Sequence, residues 1–148
     1  MALIGRILVI FFALMLASIA AGIVIALGLL GPQWRGFTGD PVEQGGFWLL
    51  VFFASGFTWA AGLLPLVIAI AVAESAKIRS ALAYIAGGAV LLVLGYFGSG
   101  FSGRYEESID RAPPPVSRES EIAAAAGAAF GLVYWTIAGR KAGAWRER

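Results

Sequence analysis

Four long stretches without a charged residue constrain this chain more than any other feature of its sequence. Each is free of Asp, Glu, Lys and Arg and rich in Leu, Ile, Val, Ala and Phe; they cover residues 7–31, 44–73, 80–103 and 122–139. A helix needs about 20 apolar residues, with a range of about 17–25, to cross the hydrocarbon core of a bilayer. The runs are continuous, whereas a transmembrane barrel would show short alternating strands. The sequence therefore predicts four transmembrane helices, at about 5–30, 46–73, 79–99 and 118–140.

The composition agrees with this prediction and leaves no room for a soluble domain. Hydrophobic residues make up 59% of the chain and charged residues only 14%, whereas soluble domains are charged at about a quarter of their positions. The residues outside the four runs are divided among two tails and three loops, and Asp40-Pro41 in the first loop is a turn signal. We expect an all-α integral membrane protein, an up-down bundle forming a single transmembrane domain over residues 1–148.

The distribution of charges predicts the orientation of the bundle. The N-terminal side, the 74–79 turn and the C-terminal tail together carry seven cations: Arg6, Lys77, Arg79, Arg140, Lys141, Arg146 and Arg148. The opposite side carries four: Arg35, Arg104, Arg111 and Arg118. Lys- and Arg-rich segments stay in the cytoplasm, so both termini are expected there. The inner cations are expected to meet anionic lipid headgroups, and they form no basic stripe of the kind that binds nucleic acid.

Several classes of chemistry are made improbable by what the sequence lacks. It contains no Cys and no His, and no ionisable side chain lies inside the four runs, so haem ligation and proton-coupled transport have no candidate residues. Residues 98–103 match G-x-G-x-x-G in letters. They follow an apolar helix, whereas a dinucleotide site needs a preceding strand and a following helix. The sequence predicts no enzyme, no nucleotide, no metal and no tightly held cofactor.

The second predicted helix carries the strongest candidate for a ligand pocket. Phe52, Ser55 and Trp59 fall near one stripe at helical spacing, and Pro65 is expected to kink the helix. A kinked aromatic helix of this kind would fit a lipid or a quinone. It is also compatible with ordinary packing or a lipid-facing surface.

Two further sets of residues are candidates for contact with partners. Gly127 and Gly131 form a GxxxG pattern, whose small residues let two helices approach closely. The spacing does not indicate whether the second helix belongs to this chain or to another protein. Glu106, Glu107 and Asp110 form an acidic outer loop, which is interpreted as a docking surface in preference to a metal site.

The layout resembles that of small four-helix proteins of the bacterial inner membrane, a resemblance of topology alone that assigns no site. It implies a multi-pass protein of the cytoplasmic membrane, whose partners are the bilayer and other membrane-protein subunits or copies of itself. Our main hypothesis is a non-catalytic accessory or assembly subunit of a larger inner-membrane complex. The alternative is a small oligomeric transporter or channel for an apolar or neutral solute, with its pocket along the second helix.

Overall fold

The computed structural model describes residues 3–31, 40–99 and 117–143, without the side chains of residue 3 and residues 60–64. Within these ranges the chain forms four α-helices and one short 3₁₀ turn. They are α1 (Leu3–Leu30), α2 (Pro41–Ser75), α3 (Ala81–Gly98), α4 (Arg118–Ile137) and the 3₁₀ turn Gly139–Lys141. The prediction of an all-α fold is confirmed for the described part of the chain.

The first turn of α2 lies further upstream than the charge-free run suggested. α2 begins at Pro41 and not near residue 46, because Asp40 caps the helix: its side chain accepts a hydrogen bond from the Val42 amide at 3.4 Å. Proline at the first helical position needs no amide hydrogen bond, and its fixed φ suits the helix. The Asp40-Pro41 turn signal is thus the start of the helix. From there α2 continues through Pro65 to Ser75 as one helix.

Three of the described helices are long and apolar enough to cross a membrane, judged by length and composition. They are α1 over Ile4–Leu30, α3 over Ala81–Gly98 and α4 over Arg118–Ile137, and α2 contributes the shorter apolar segment Pro65–Ser75. Large apolar side chains are exposed on α1, α2, α3 and α4 alike. Exposed apolar surface on this scale is typical of a protein that faces lipid, so the fold indicates a membrane protein.

The four helices pack in the order α2, α1, α4, α3 across the bundle. α1 lies between α2 and α4, and α4 lies between α1 and α3. α2 and α3 are joined by a short turn, and they contact each other less than the neighbouring pairs α1–α2, α1–α4 and α3–α4 do. The bundle is therefore open on the side where α2 and α3 face one another.

Small residues let these helices approach closely. The larger core cluster contains Ala13, Ala17 and Ala21 of α1 with Ala126 and Phe130 of α4. Alanine at an interface lets two helix axes lie close together and so increases the dispersion contacts between them. These contacts matter because in lipid the hydrophobic effect does not drive helices together.

Opposite charges collect at opposite ends of the bundle. We call the end formed by the start of α1, the α2–α3 turn and the end of α4 the basic end; its described charges are Arg6, Glu74, Lys77, Arg79, Arg140 and Lys141. We call the other end the acidic end; its described charges are Asp40, Glu43, Arg118, Glu119 and Glu121. The Arg118 side chain donates to the Gly28 carbonyl at 3.0 Å, which joins α4 to α1 at the acidic end.

Candidate functional site

A buried ion pair lies at the basic end of the described structure. Arg6 on α1 pairs with Glu74 on α2: the Arg6 Nε donates to Glu74 Oε1 at 3.1 Å, and Arg6 Nη2 contacts the same oxygen. The two side chains are only 7% and 11% exposed. Arg6 lies near the positive end of the α1 dipole and Glu74 near the negative end of the α2 dipole. Each charge is disfavoured by its own helix, and each neutralises the other.

The same pair holds the chain segment that follows α4. Arg6 Nη2 also donates to the Ala138 carbonyl at 2.8 Å, and the Gly143 amide donates to Glu74 Oε2 at 2.9 Å. Gly143 has a φ of +73°, a backbone conformation that favours glycine. A buried ion pair is stable only when further hydrogen bonds satisfy its remaining atoms. Through these contacts the Arg6–Glu74 pair joins α1, α2 and the end of α4.

A second set of contacts at the basic end joins the start of α3 to the end of α4. The Trp135 Nε1 donates to the Arg79 carbonyl at 2.8 Å, and the Arg79 Nε donates to the Ala142 carbonyl at 3.1 Å. The Arg140 guanidinium lies 4.5 Å from the centre of the Trp135 ring, a cation–π contact. The positions of Arg79 and Arg140 at this end are therefore defined by specific contacts.

An apolar cavity of about 220 Å³ lies in the opening between α2 and α3. We call this opening the α2–α3 groove; its walls include Leu66 and Ile70 of α2 and Gly87 and Leu91 of α3, with Phe130 of α4 at its floor. Sequence reasoning did not find this groove, because nothing in the helical periodicity shows which two neighbouring helices fail to close.

Two tyrosines line the part of this cavity that lies nearest the basic end. Tyr84 and Tyr134 have ring centroids 5.6 Å apart, and the Tyr84 hydroxyl donates to the Ile78 carbonyl at 3.1 Å. Tyr134 is 2% exposed, and its hydroxyl has no hydrogen-bond partner among the residues that the structure describes. Buried polar groups are normally paired, so this hydroxyl is an exception within the described residues, and because its oxygen is itself buried it does not open onto the cavity.

The structure separates the three residues proposed for a pocket on α2. Trp59 lines a cavity of about 120 Å³ and donates through Nε1 to Ser18 Oγ at 3.0 Å. The Ser55 hydroxyl instead donates to the Val51 carbonyl of its own helix at 2.7 Å and lies against Gly22 of α1. Phe52 is 73% exposed on the surface of the bundle. Of the three residues, Trp59 lines a cavity, and the structure does not bring Phe52 and Ser55 to it.

The predicted close-contact glycines lie against α3 of the same chain. A Cβ placed on Gly127 would overlap the Gly88 carbonyl, and one placed on Gly131 would overlap the Tyr84 carbonyl. The face that Gly127 and Gly131 form is thus occupied within the chain.

The proposed acidic docking surface, Glu106, Glu107 and Asp110, lies outside the described residues.

A different face of α2 carries glycines that meet nothing in the described structure. Gly45, Leu49, Phe52 and Gly56 share one side of the helix at the spacing i, i+4, i+7, i+11, and we call this side the outer face of α2. All four are exposed, and a Cβ added at either glycine would have no atom within 4 Å among the described residues. The face extends over about 16 Å of helix.

The chain matches no protein family model, no curated protein and no solved structure. Over the described residues, the protein is all-helical, with three helices long and apolar enough to span a membrane.

Proposed function

We propose that this protein is a four-span, non-catalytic accessory or assembly subunit of a larger complex in the bacterial inner membrane, with both termini in the cytoplasm. The path of the chain supports the fourth span. The chain leaves α1 at the acidic end and enters α3 at the basic end, and we propose that α2 crosses the membrane between these two ends. α2 is 35 residues long, enough for a crossing.

The orientation rests on the charge at the two ends. Among the described residues, the basic end carries five cations and the single acid Glu74, whereas the acidic end carries four acids and the single cation Arg118. Cationic loops remain in the cytoplasm, and anionic headgroups attract them there. The start of α1 and the end of α4 both lie at the basic end, which supports cytoplasmic termini.

The observation that carries the role of accessory subunit is the outer face of α2. Glycine within a helix costs about 1 kcal/mol relative to alanine. Gly127 and Gly131 offset that cost through close contact with α3, whereas a Cβ on Gly45 or Gly56 would meet no atom of the described residues within 4 Å. Glycines placed beside the exposed ring of Phe52 form a surface that a helix of another subunit can approach closely. We propose that Glu106, Glu107 and Asp110 add a polar contact to the same partner.

Site-specific photo-crosslinking in cells tests this role. A benzophenone amino acid in place of Phe52 should give one discrete protein adduct, identified by mass spectrometry. The same group in place of Leu82, which is 76% exposed on α3, should not give that adduct. Adducts only with lipid at both positions would contradict the proposal.

A pair of glycine variants provides the matched control. Gly56→Leu should reduce recovery of the partner in mild detergent, whereas Gly87→Leu should leave recovery unchanged, because Gly87 faces the α2–α3 groove. Both changes add the same side chain where no described atom lies within 4 Å of the new Cβ. Unchanged partner recovery for both glycine variants would contradict the proposal. If solute flux into vesicles also falls for a Trp59 variant, the transporter alternative replaces it.

A further inference from the structure

The two parts of α2 on either side of Pro65 differ in how they are attached to the rest of the bundle. Before Pro65, Phe47 and Val51 are buried in a cluster against α1, and the Trp59 indole donates a hydrogen bond to Ser18 of α1. Apolar packing and a side-chain hydrogen bond therefore both hold this part of α2 against α1.

The part of α2 that begins at Pro65 packs more loosely. We call Pro65–Ser75 the distal segment of α2. Leu66 and Ile70 pack against the larger core cluster, but Leu66 also lines three cavities, of about 220, 120 and 20 Å³. Val67 and Ile68 are exposed. Because three cavities adjoin Leu66, the segment gives up few dispersion contacts when it moves.

Pro65 weakens the helix at the start of the distal segment. Proline has no amide hydrogen, so the backbone lacks the hydrogen bond that would join residue 65 to the carbonyl four positions earlier. α2 is nonetheless a continuous helix through Pro65 in this structure. A bend at this position costs less than one elsewhere in the helix, because the hydrogen bond that a bend would break is already absent.

The far end of the distal segment is held by a charge. Glu74 is the only charged residue between positions 65 and 75, and it is buried in the ion pair with Arg6 of α1. Its carboxylate also accepts a hydrogen bond from the Gly143 amide at 2.9 Å, and Arg6 donates to the Ala138 carbonyl at 2.8 Å. The pair therefore joins the end of α2 both to α1 and to the segment that follows α4.

We infer that the distal segment of α2 is a hinged arm that bends about Pro65 and is held closed, as in this structure, by the Arg6–Glu74 pair. When the pair is broken, the segment moves away from α1 and α4. The cavities that share Leu66 as a wall then join into one space, which extends from the α2–α3 groove to the cavity between α1 and α2. Because the same pair holds residues 138–143, displacing those residues and opening the arm favour each other. This device does not depend on the outer face of α2 or on the proposed role as a subunit.

Pulsed electron paramagnetic resonance of the full chain in lipid nanodiscs tests the hinge, because the chain has no natural cysteine that would take up a spin label. One label at Leu132→Cys on α4 is paired with a label at Val72→Cys on the distal segment, and both positions are exposed. The control pairs Leu132→Cys with Leu49→Cys, which is exposed on α2 before Pro65. The distal segment is about 15 Å long, so a bend of about 20° moves its end by roughly 5 Å.

Breaking the ion pair should lengthen one distance and not the other. Glu74→Gln should add a second distance, longer by about 5 Å, to the Val72 pair and leave the Leu49 pair with the single distance of the parent. Glu74→Asp keeps the charge on a shorter side chain, so it should add a smaller population of the longer distance and gives the same test if Glu74→Gln does not fold. An unchanged Val72 distance in Glu74→Asp, and in Glu74→Gln where it folds, would overturn the role of the ion pair. Equal lengthening in both label pairs would show that α2 moves as a whole and would overturn the hinge.

Restoring the missing amide hydrogen tests the position of the hinge. In a Glu74→Gln or Glu74→Asp background, Pro65→Ala should remove most of the longer-distance population. Pro41→Ala, the same change at the first residue of α2, is the matched control and should leave that population as it was. If Pro65→Ala also leaves it as it was, the hinge does not lie at Pro65 and the inference fails. Gly56→Leu, which tests the subunit role, should leave both distances as in the parent, so the two proposals can fail separately.

Discussion

Arg6 and Glu74, separated by 68 positions in the sequence, form a buried ion pair that joins the first turns of α1 to the end of α2. The pair also binds the Ala138 carbonyl and the Gly143 amide, so three segments of the chain meet at it. Its energetic role is asymmetric, because a buried charge without its partner costs more than the pair contributes.

Removing one member of this pair should therefore destabilise the protein strongly. Glu74→Gln leaves the Arg6 charge buried and should cost about 3–5 kcal/mol, seen as a large drop in thermal midpoint in detergent. The double variant Arg6→Met with Glu74→Leu should recover much of that loss. Glu43→Gln, which changes an exposed carboxylate at the acidic end, is the control and should have little effect. A Glu74→Gln protein as stable as the parent would show that the pair is not buried in the membrane-embedded state.

Adding a side chain should destabilise the protein at a glycine that lies in the α3–α4 contact, but not at a glycine outside it. Gly127→Leu would force its side chain into the Gly88 backbone and should lower stability by at least about 1 kcal/mol. Gly95→Leu on α3 is the matched control, because a Cβ there meets no described atom within 4 Å and should leave the thermal midpoint close to that of the parent. If both variants melt alike, α3 does not pack on Gly127.

The hydrogen bond between Trp59 and Ser18 should couple α1 to α2 modestly. A double-mutant cycle of Trp59→Phe and Ser18→Ala should give a coupling energy of about 0.6 kcal/mol, the average for such bonds within membranes. Unfolding in mixed micelles measures it. The control cycle combines Ser18→Ala with Thr136→Val, because the Thr136 hydroxyl donates within α4, and it should show no coupling. A similar coupling energy in the control would mean that the value measured for Trp59 and Ser18 does not come from their hydrogen bond.

Sequence alone predicts the elements of this fold better than their contacts. Charge-free runs indicate helices because a membrane-spanning helix has to be apolar over its length. The GxxxG spacing of Gly127 and Gly131 indicates a close contact but carries no information on the second helix, which the structure identifies as α3. The Arg6–Glu74 pair was missed because both residues look like interfacial charges at the ends of their runs. The unfavourable position of each charge on its own helix dipole was the available signal.

The proposed pocket on α2 also shows that sequence periodicity does not specify which residues contact another helix. Phe52, Ser55 and Trp59 lie near one stripe, yet Phe52 is exposed, Ser55 packs on Gly22 and Trp59 lines a cavity between α1 and α2. A stripe about 60° wide can span the boundary between a neighbouring helix and open surface. Where that boundary falls depends on the position of α1, which periodicity within α2 cannot specify.

The proposed topology places the basic end in the cytoplasm, and cysteine labelling tests that placement most directly. The chain has no natural cysteine, so single replacements at Glu43 and Ser75, exposed at opposite ends of α2, can be compared cleanly. In intact cells with a permeable outer envelope, an impermeant maleimide should label Glu43→Cys and leave Ser75→Cys unlabelled until the inner membrane is opened. Labelling of Ser75→Cys alone would invert the orientation, and labelling of both in intact cells would show that α2 does not cross the membrane.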